Sequence, residues 1–275
     1  MKIIALMVGG LCCLNSAMAG AQPCASRPDL EARLKRAPGD DAAMECLAKA
    51  LIAEGKPAEA ADWMQKAVTM NPQSAQHQLW LGNALREQME AASTLRRPFL
   101  MSGKKGAYEQ AVALDPTLIE ARHRLVMVYS MAPAMMGGSM DKAREHAQAI
   151  VALDQIRGET ELAQLAERQS DYRGAVGIYE SLIKTRPDAI NAHLSIGRLS
   201  ITNLKDSVRG EAEVRFWLTN QPKDASAVNI ANAHYLLGVV LQQKHEDSLA
   251  KAEYQIALST NPKHEGARKA LTSLK

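Results

Sequence analysis

Residues 235–262 read "YLLGVVLQQKHEDSLAKAEYQIALSTNP". Leu237, Gly238 and Leu241 lie within a turn of one another, and Ala250, Tyr254 and Ala257 follow at intervals of four and three. Spacing of this kind puts the small and apolar residues on one face of each of two helices. The polar run "QQKHED" separates them as a turn, and Pro262 stops the second, because proline has no backbone N–H to continue a helix.

The same frame recurs upstream. Leu47-Ala48, Leu51, Ala60, Met64, Ala67 and Pro72 form one copy, and Leu162-Ala163, Ala166, Ala175, Tyr179, Leu182 and Pro187 form another. Pro116 and Pro222 close two more, while Gln155 stands in the terminal place of "VALDQ" where the preceding copy has "VALDP". Six copies result, at about 41–72, 75–116, 119–155, 156–187, 190–222 and 231–262. The fifth is the least regular, with Gly210, Val214 and Trp217 where the others favour Ala, an aromatic and Ala.

This frame resembles the tetratricopeptide repeat, a 34-residue helix-turn-helix unit. The resemblance implies an all-α, right-handed superhelical solenoid of about six hairpins. Small residues let the two helices of a hairpin approach, and the larger ones fill the space between hairpins. A polar helix over 263–275 is expected to cap the last hairpin. "RPDLEARLKRAPGD" (27–40) reads as a helix, placing a leading segment at 20–40.

Composition agrees with this reading. Apolar residues make up 47% of the 275 but aromatics only 4%, which suits close-packed helices better than sheets. A net charge of +3 argues against a dedicated nucleic-acid binder.

The first nineteen residues read as an export signal. Lys2 precedes an apolar run from Ile3 to Leu14, and Ala17-Met18-Ala19 supplies a small-x-small cleavage pattern. Ala19-Gly20-Ala21 offers a second cut. The run is shorter than the roughly 20 residues that a membrane span needs. Removing Lys2 with no acid lowers the net charge from +3 to +2. Cys12 and Cys13 leave with the signal. Cys24 and Cys46 remain, either as a disulfide in an oxidising compartment or as two separate buried thiols. The expected location is periplasmic or secreted.

Two repeats carry extra residues between their helices: Pro72 to Pro116 spans 44 and Pro116 to Gln155 spans 39, against a 34-residue unit. The extra residues fall between first and second helices, in "LRRPFLMSGKKG" (95–106) and "SMAPAMMGGSM" (130–140), on one expected rim. Ser139 is a good N-cap, so the second stretch reads as a loop joining two helices. Phe99, Met131, Met135 and Met136 are the rim candidates. They either pack inward or, with Arg96, Arg97, Lys104 and Lys105, form an apolar and basic ledge for a partner or an anionic membrane. A Cu(I) role for the methionines is the alternative functional reading, although methionine also fills irregular gaps in helical packing. "APAMMGGS" (132–139) after "AVALDP" is similar to a group of bacterial exported tetratricopeptide proteins, a likeness covering mainly 95–155.

No H-E-x-x-H, G-x-S-x-G or G-x-x-x-x-G-K-[ST] occurs, and the seven histidines are scattered, so no enzyme, cofactor or metal site is expected. His193 and His234, at position four of their repeats, read as packing residues. The resemblance instead implies a concave groove lined by first helices at positions two, five, nine, twelve and thirteen. Carried onto this chain, those positions include Asn83, Arg86, His123, Asn191, Arg198 and Tyr235, with Gln164 and Arg168 among them. Asn pairs with peptide backbone and Arg with carboxylates. Glu45 and Leu79 at position five depart from the carboxylate-clamp pattern, which is not carried over. The expectation is a protein or peptide partner from envelope assembly or secretion, with no nucleic acid and no membrane span after signal removal.

Overall fold

The computed structural model describes residues 24–93 and 95–274; the segment read as an export signal lies outside the described residues. Among the described residues there are fourteen α-helices and no strand. α1 (Arg27–Arg36) leads. Six hairpins follow: α2 (Asp41–Ala53) with α3 (Pro57–Met70), α4 (Ala75–Ala91) with α5 (Arg97–Leu114), and α6 (Ile119–Met131) with α7 (Met140–Val151). Then come α8 (Gln155–Arg168) with α9 (Tyr172–Thr185), α10 (Ile190–Leu199) with α11 (Ser207–Asn220), and α12 (Ala227–Gln243) with α13 (Asp247–Thr260). α14 (Glu265–Ser273) covers the last hairpin.

Local chemistry sets these boundaries. Asp40, Ser74, Ser139, Asp154, Asp171, Asp206 and Ser226 each sit at an N-cap and accept a backbone N–H three residues on. Pro72, Pro116, Pro187, Pro222 and Pro262 each stand two residues past the end of a second helix. Gln155 does not end its repeat in that way. Asp154 caps it, and it is the first residue of α8.

The helices close on small residues. Ala60, Ala67, Ala111, Ala143, Ala175, Ala250 and Ala257 are fully buried. Tyr254 packs over Gly238, and Tyr108 over Gly82, so closely that a methyl group would strike either ring. The fifth hairpin solves the problem differently. Trp217 is fully buried in a place that others fill with alanine, and its Nε1 donates to Asn191 Oδ1 at 3.0 Å. Gly197 and Gly210 admit Val214 and Ile201, and α10 ends in a π-helical turn at residues 200–204.

The first insertion is not a loop. Residues 97–106 are helical, with Pro98 in the first turn of α5 where a missing N–H costs nothing. Two longer helices, of 17 and 18 residues, absorb most of the extra chain and leave only 92–96 between them. The second insertion is a connection. It leaves α6 at Ala132, makes a short 3₁₀ turn at Ala134–Met136, passes through a left-handed Gly137 (φ 84°) and enters α7 at Ser139. Glycine adopts that φ without steric cost.

At the N-terminal end, Cys24 and Cys46 come together, with sulfurs 2.17 Å and Cα atoms 5.5 Å apart. This sets the segment before α1 against α2, while Leu30 and Leu34 of α1 bury against Leu47 and Leu51.

Candidate functional site

First helices of successive hairpins stand side by side, and polar side chains stitch α2 to α4, α6 to α8 and α8 to α10. His77 Nε2 lies 3.4 Å from Glu45, Arg157 donates to Glu120 at 2.8 Å, and His123 pairs with Glu161. Further along, Arg168 approaches Met127 Sδ at 3.4 Å, and Arg198 donates to Glu167 at 2.7 Å.

Between α8 and α10 this row opens into a recess of about 510 Å³. Gln164, Glu167 and Arg168 of α8 form one wall, and Ser195 and Arg198 of α10 form the other. Tyr179 of α9 forms the floor. Burial pushes its hydroxyl pKa up to about 12, so it stays protonated and hydrogen-bonds to Glu167 at 3.4 Å. The walls therefore carry two guanidiniums, one carboxylate, one amide and one hydroxyl, with Arg198 and Tyr179 already meeting Glu167. Such a set makes directed hydrogen bonds and has few apolar contacts to give. It matches an extended polar chain with alternating donors and acceptors.

Of the residues expected in the groove, Arg198 lines this recess, together with Gln164 and Arg168. Asn83 does not present a binding surface. It is only 8% exposed, and its Oδ1 accepts the Tyr108 hydroxyl at 3.0 Å inside the second hairpin. Arg86 forms ion pairs with Glu87 and Glu90 of its own helix. Asn191 holds Trp217, and His123 is taken by Glu161. Tyr235 packs against Tyr254 and against His264 at the start of α14, with ring centroids 5.9 and 4.8 Å apart. Capping the last hairpin uses up that part of the face. His264 fixes the cap, accepting the Ala267 N–H on Nδ1 at 3.0 Å while Nε2 meets Asn232 Oδ1 at 3.0 Å.

His193 and His234 are partly buried, and each also meets a carboxylate, Glu213 or Glu253, at 2.6 Å. The residues missed were Glu167, Tyr179 and Ser195. Glu167 stands at position twelve, already among the lining positions. Tyr179 was read as packing alone, and Ser195 at position six gave no signal.

At the rim, Phe99 and Met135 point outward at 82% and 92% exposure. Met131 is 63% exposed and Met136 half-buried. Lys104 departs from the expected basic ledge. It is only 6% exposed, at the place where other hairpins bury Ala60, Ala175 or Ala250. Desolvation, helped by the Arg86 charge, holds its ammonium below the usual lysine range, with Glu90 opposing. Among the described residues, no three His, Cys, Asp or Glu side chains gather as a metal site, and no helix is long and apolar enough to cross a membrane.

A family model described as "Tetratricopeptide repeat" matches residues 15–75 and 47–93. No curated protein matches the chain. In structure, the chain is similar to a tetratricopeptide repeat protein from Parabacteroides merdae, with TM-score 0.63, 16% identity and 90% of each chain covered. It is also similar to yeast Tom70, with TM-score 0.67 and 16% identity, over 90% of this chain and 50% of that one. Pseudomonas aeruginosa PilF matches with TM-score 0.56 and 13% identity, over 86% of this chain and 97% of that one. At these identities the likeness shows a shared solenoid fold. The family match is confined to residues 15–93, and over the rest of the described chain the likeness is one of fold.

Proposed function

We propose that this chain is an exported, non-catalytic scaffold that holds a protein or peptide partner on its concave face. The recess between α8 and α10 carries the reading. It gathers hydrogen-bonding side chains from two first helices, and Arg168 and Arg198 reach into it from neighbouring hairpins. An extended peptide laid across α6, α8 and α10 would replace water on these groups with backbone amides and carbonyls. Hydrogen bonding of this kind leaves side-chain specificity to the flanking helices.

Export is part of the same proposal. The apolar run at 3–14 followed by Ala17-Met18-Ala19 supports it, and so does the juxtaposition of Cys24 and Cys46, which an oxidising compartment would lock as a disulfide. A partner from envelope assembly or secretion follows from that compartment.

A photo-crosslinking amino acid placed at Gln164 or Ser195 tests the groove, with the same probe at Gln255 of α13 as the outside position. The expected result is one cell-envelope protein crosslinked from the two recess positions and absent from Gln255. Equal crosslinking from all three positions, or a partner seen from Gln255 alone, would remove the concave face from consideration.

A further inference from the structure

The lengthened second hairpin and the loop of the third lie together at one rim. Gly137, in the left-handed turn of the loop, sits against the Lys105 ammonium, about 3.0 Å from where a side chain on that glycine would begin. Lys105 also lies 5.8 Å from the centre of the Tyr129 ring at the end of α6. The two insertions therefore form one local surface.

This surface combines two properties. Large apolar side chains stand out from it: Leu95 at 85% exposure, with Phe99, Met131 and Met135 as given above. Within the two inserted stretches the charge is also of one sign, with Glu90, Glu109 and Asp141 at their borders. Residues 91–108 contain Arg96, Arg97, Lys104 and Lys105 with no acid, and residues 125–140 contain no charged residue at all. Arg96 and Arg97 are exposed beside Leu95 and Phe99.

From the geometry we infer that this rim is a peripheral membrane-docking surface for anionic lipid, independent of the peptide groove. The apolar side chains protrude instead of lining a groove. A protein partner would need a pocket for each, whereas the acyl boundary of a bilayer accepts protruding groups without preformed shape. Cations beside them would then stand at the level of the lipid phosphates, the arrangement of interfacial anchors. Phe99 and Met135 enter the interface, and Arg96, Arg97 and Lys105 supply the attraction. Lys104, buried within the hairpin, contributes to the field but not to contact.

Vesicle co-sedimentation of the full chain tests this, with phosphatidylcholine vesicles alone and with about one-third phosphatidylglycerol. The variants are Phe99→Ser with Met135→Ser, and Arg96→Ala with Arg97→Ala. Val208→Ser, which alters an exposed apolar residue of α11, serves as control. Helical content by circular dichroism checks folding. The expected result is binding to the anionic vesicles that falls about tenfold or more in each double variant. High salt should weaken it, and Val208→Ser should not. Any contribution from the apolar run at 3–14 is common to all variants and cancels in the comparison. Unchanged binding of the folded Phe99/Met135 variant, or no preference for anionic vesicles, overturns the proposal. So does loss of self-association or of a protein partner in that variant with lipid binding intact, which would assign the rim to a protein.

Discussion

Gly238 and Gly177 are both helical glycines, and the same substitution at each should act in opposite directions. Alanine is favoured over glycine in a helix interior by about 1 kcal/mol. At Gly177 in α9 an added Cβ meets nothing within 4 Å, so Gly177→Ala should stabilise by up to that amount. At Gly238 in α12 the Cβ would stand 2.5 Å from Tyr254 Cε1 and 2.7 Å from Cδ1. The ring has nowhere to retreat, because Tyr254 is fully buried and its hydroxyl donates to Gln242 at 2.8 Å. Overpacking of that kind costs about 1–3 kcal/mol. The gain in helix propensity offsets about 1 kcal/mol of it, leaving Gly238→Ala destabilised by up to about 2 kcal/mol. Urea unfolding followed at 222 nm would measure both, with Gly238→Ala/Tyr254→Leu as a third variant. Removing the ring edge should recover part of the Gly238→Ala loss beyond the sum of the single effects, a coupling of about 1 kcal/mol. If Gly238→Ala stabilises as Gly177→Ala does, or if the double variant is simply additive, close approach does not set the identity of this position.

Replacing Cys24 and Cys46 with serine should weaken the docking of α1 by about 3 kcal/mol for a closed loop of this length, 22 residues apart in sequence. Hydrogen exchange should show loss of protection confined to residues 27–36 and the facing part of α2; unchanged protection would mean that Leu30 and Leu34 hold the helix without the bond. Lys104→Met should stabilise the chain by roughly 1–2 kcal/mol at neutral pH, because it removes a buried ammonium whose desolvation outweighs the attraction of Glu90. Burial holds the folded-state pKa of Lys104 below its unfolded value, so between the two the unfolded chain binds more proton and wild-type stability rises with pH. Stability measured from pH 7 to 10 should show a smaller rise in Lys104→Met; identical slopes would place the charge in water.

The sequence determined the hairpins. An apolar spacing repeated six times, with proline beyond the second helices, leaves few alternatives for the backbone, because helix period, caps and stops are local properties. It also located the two long repeats and read the second insertion as a connection entered and left through Pro133 and Ser139. The repeat frame puts the extra residues of "LRRPFLMSGKKG" between two helices of ordinary length, whereas the structure adds most of them to α5. Pro98 falls in the first turn, where it is harmless, and nothing local to the sequence shows where α4 stops.

Which side chains remain open to a partner was decided only by tertiary structure. Asn83, Asn191, His123 and Tyr235 occupy lining positions, yet each meets a residue at least 19 positions away or on a capping helix. A periodic frame tells which way a side chain points; it carries no information about the donor or acceptor that another helix brings to meet it. Arg198, Gln164 and Arg168 line a recess between α8 and α10, and Lys104 is buried at the place where other hairpins bury alanine. Both outcomes depend on the distance between helices, which is set by the packing of whole hairpins and not by any single repeat.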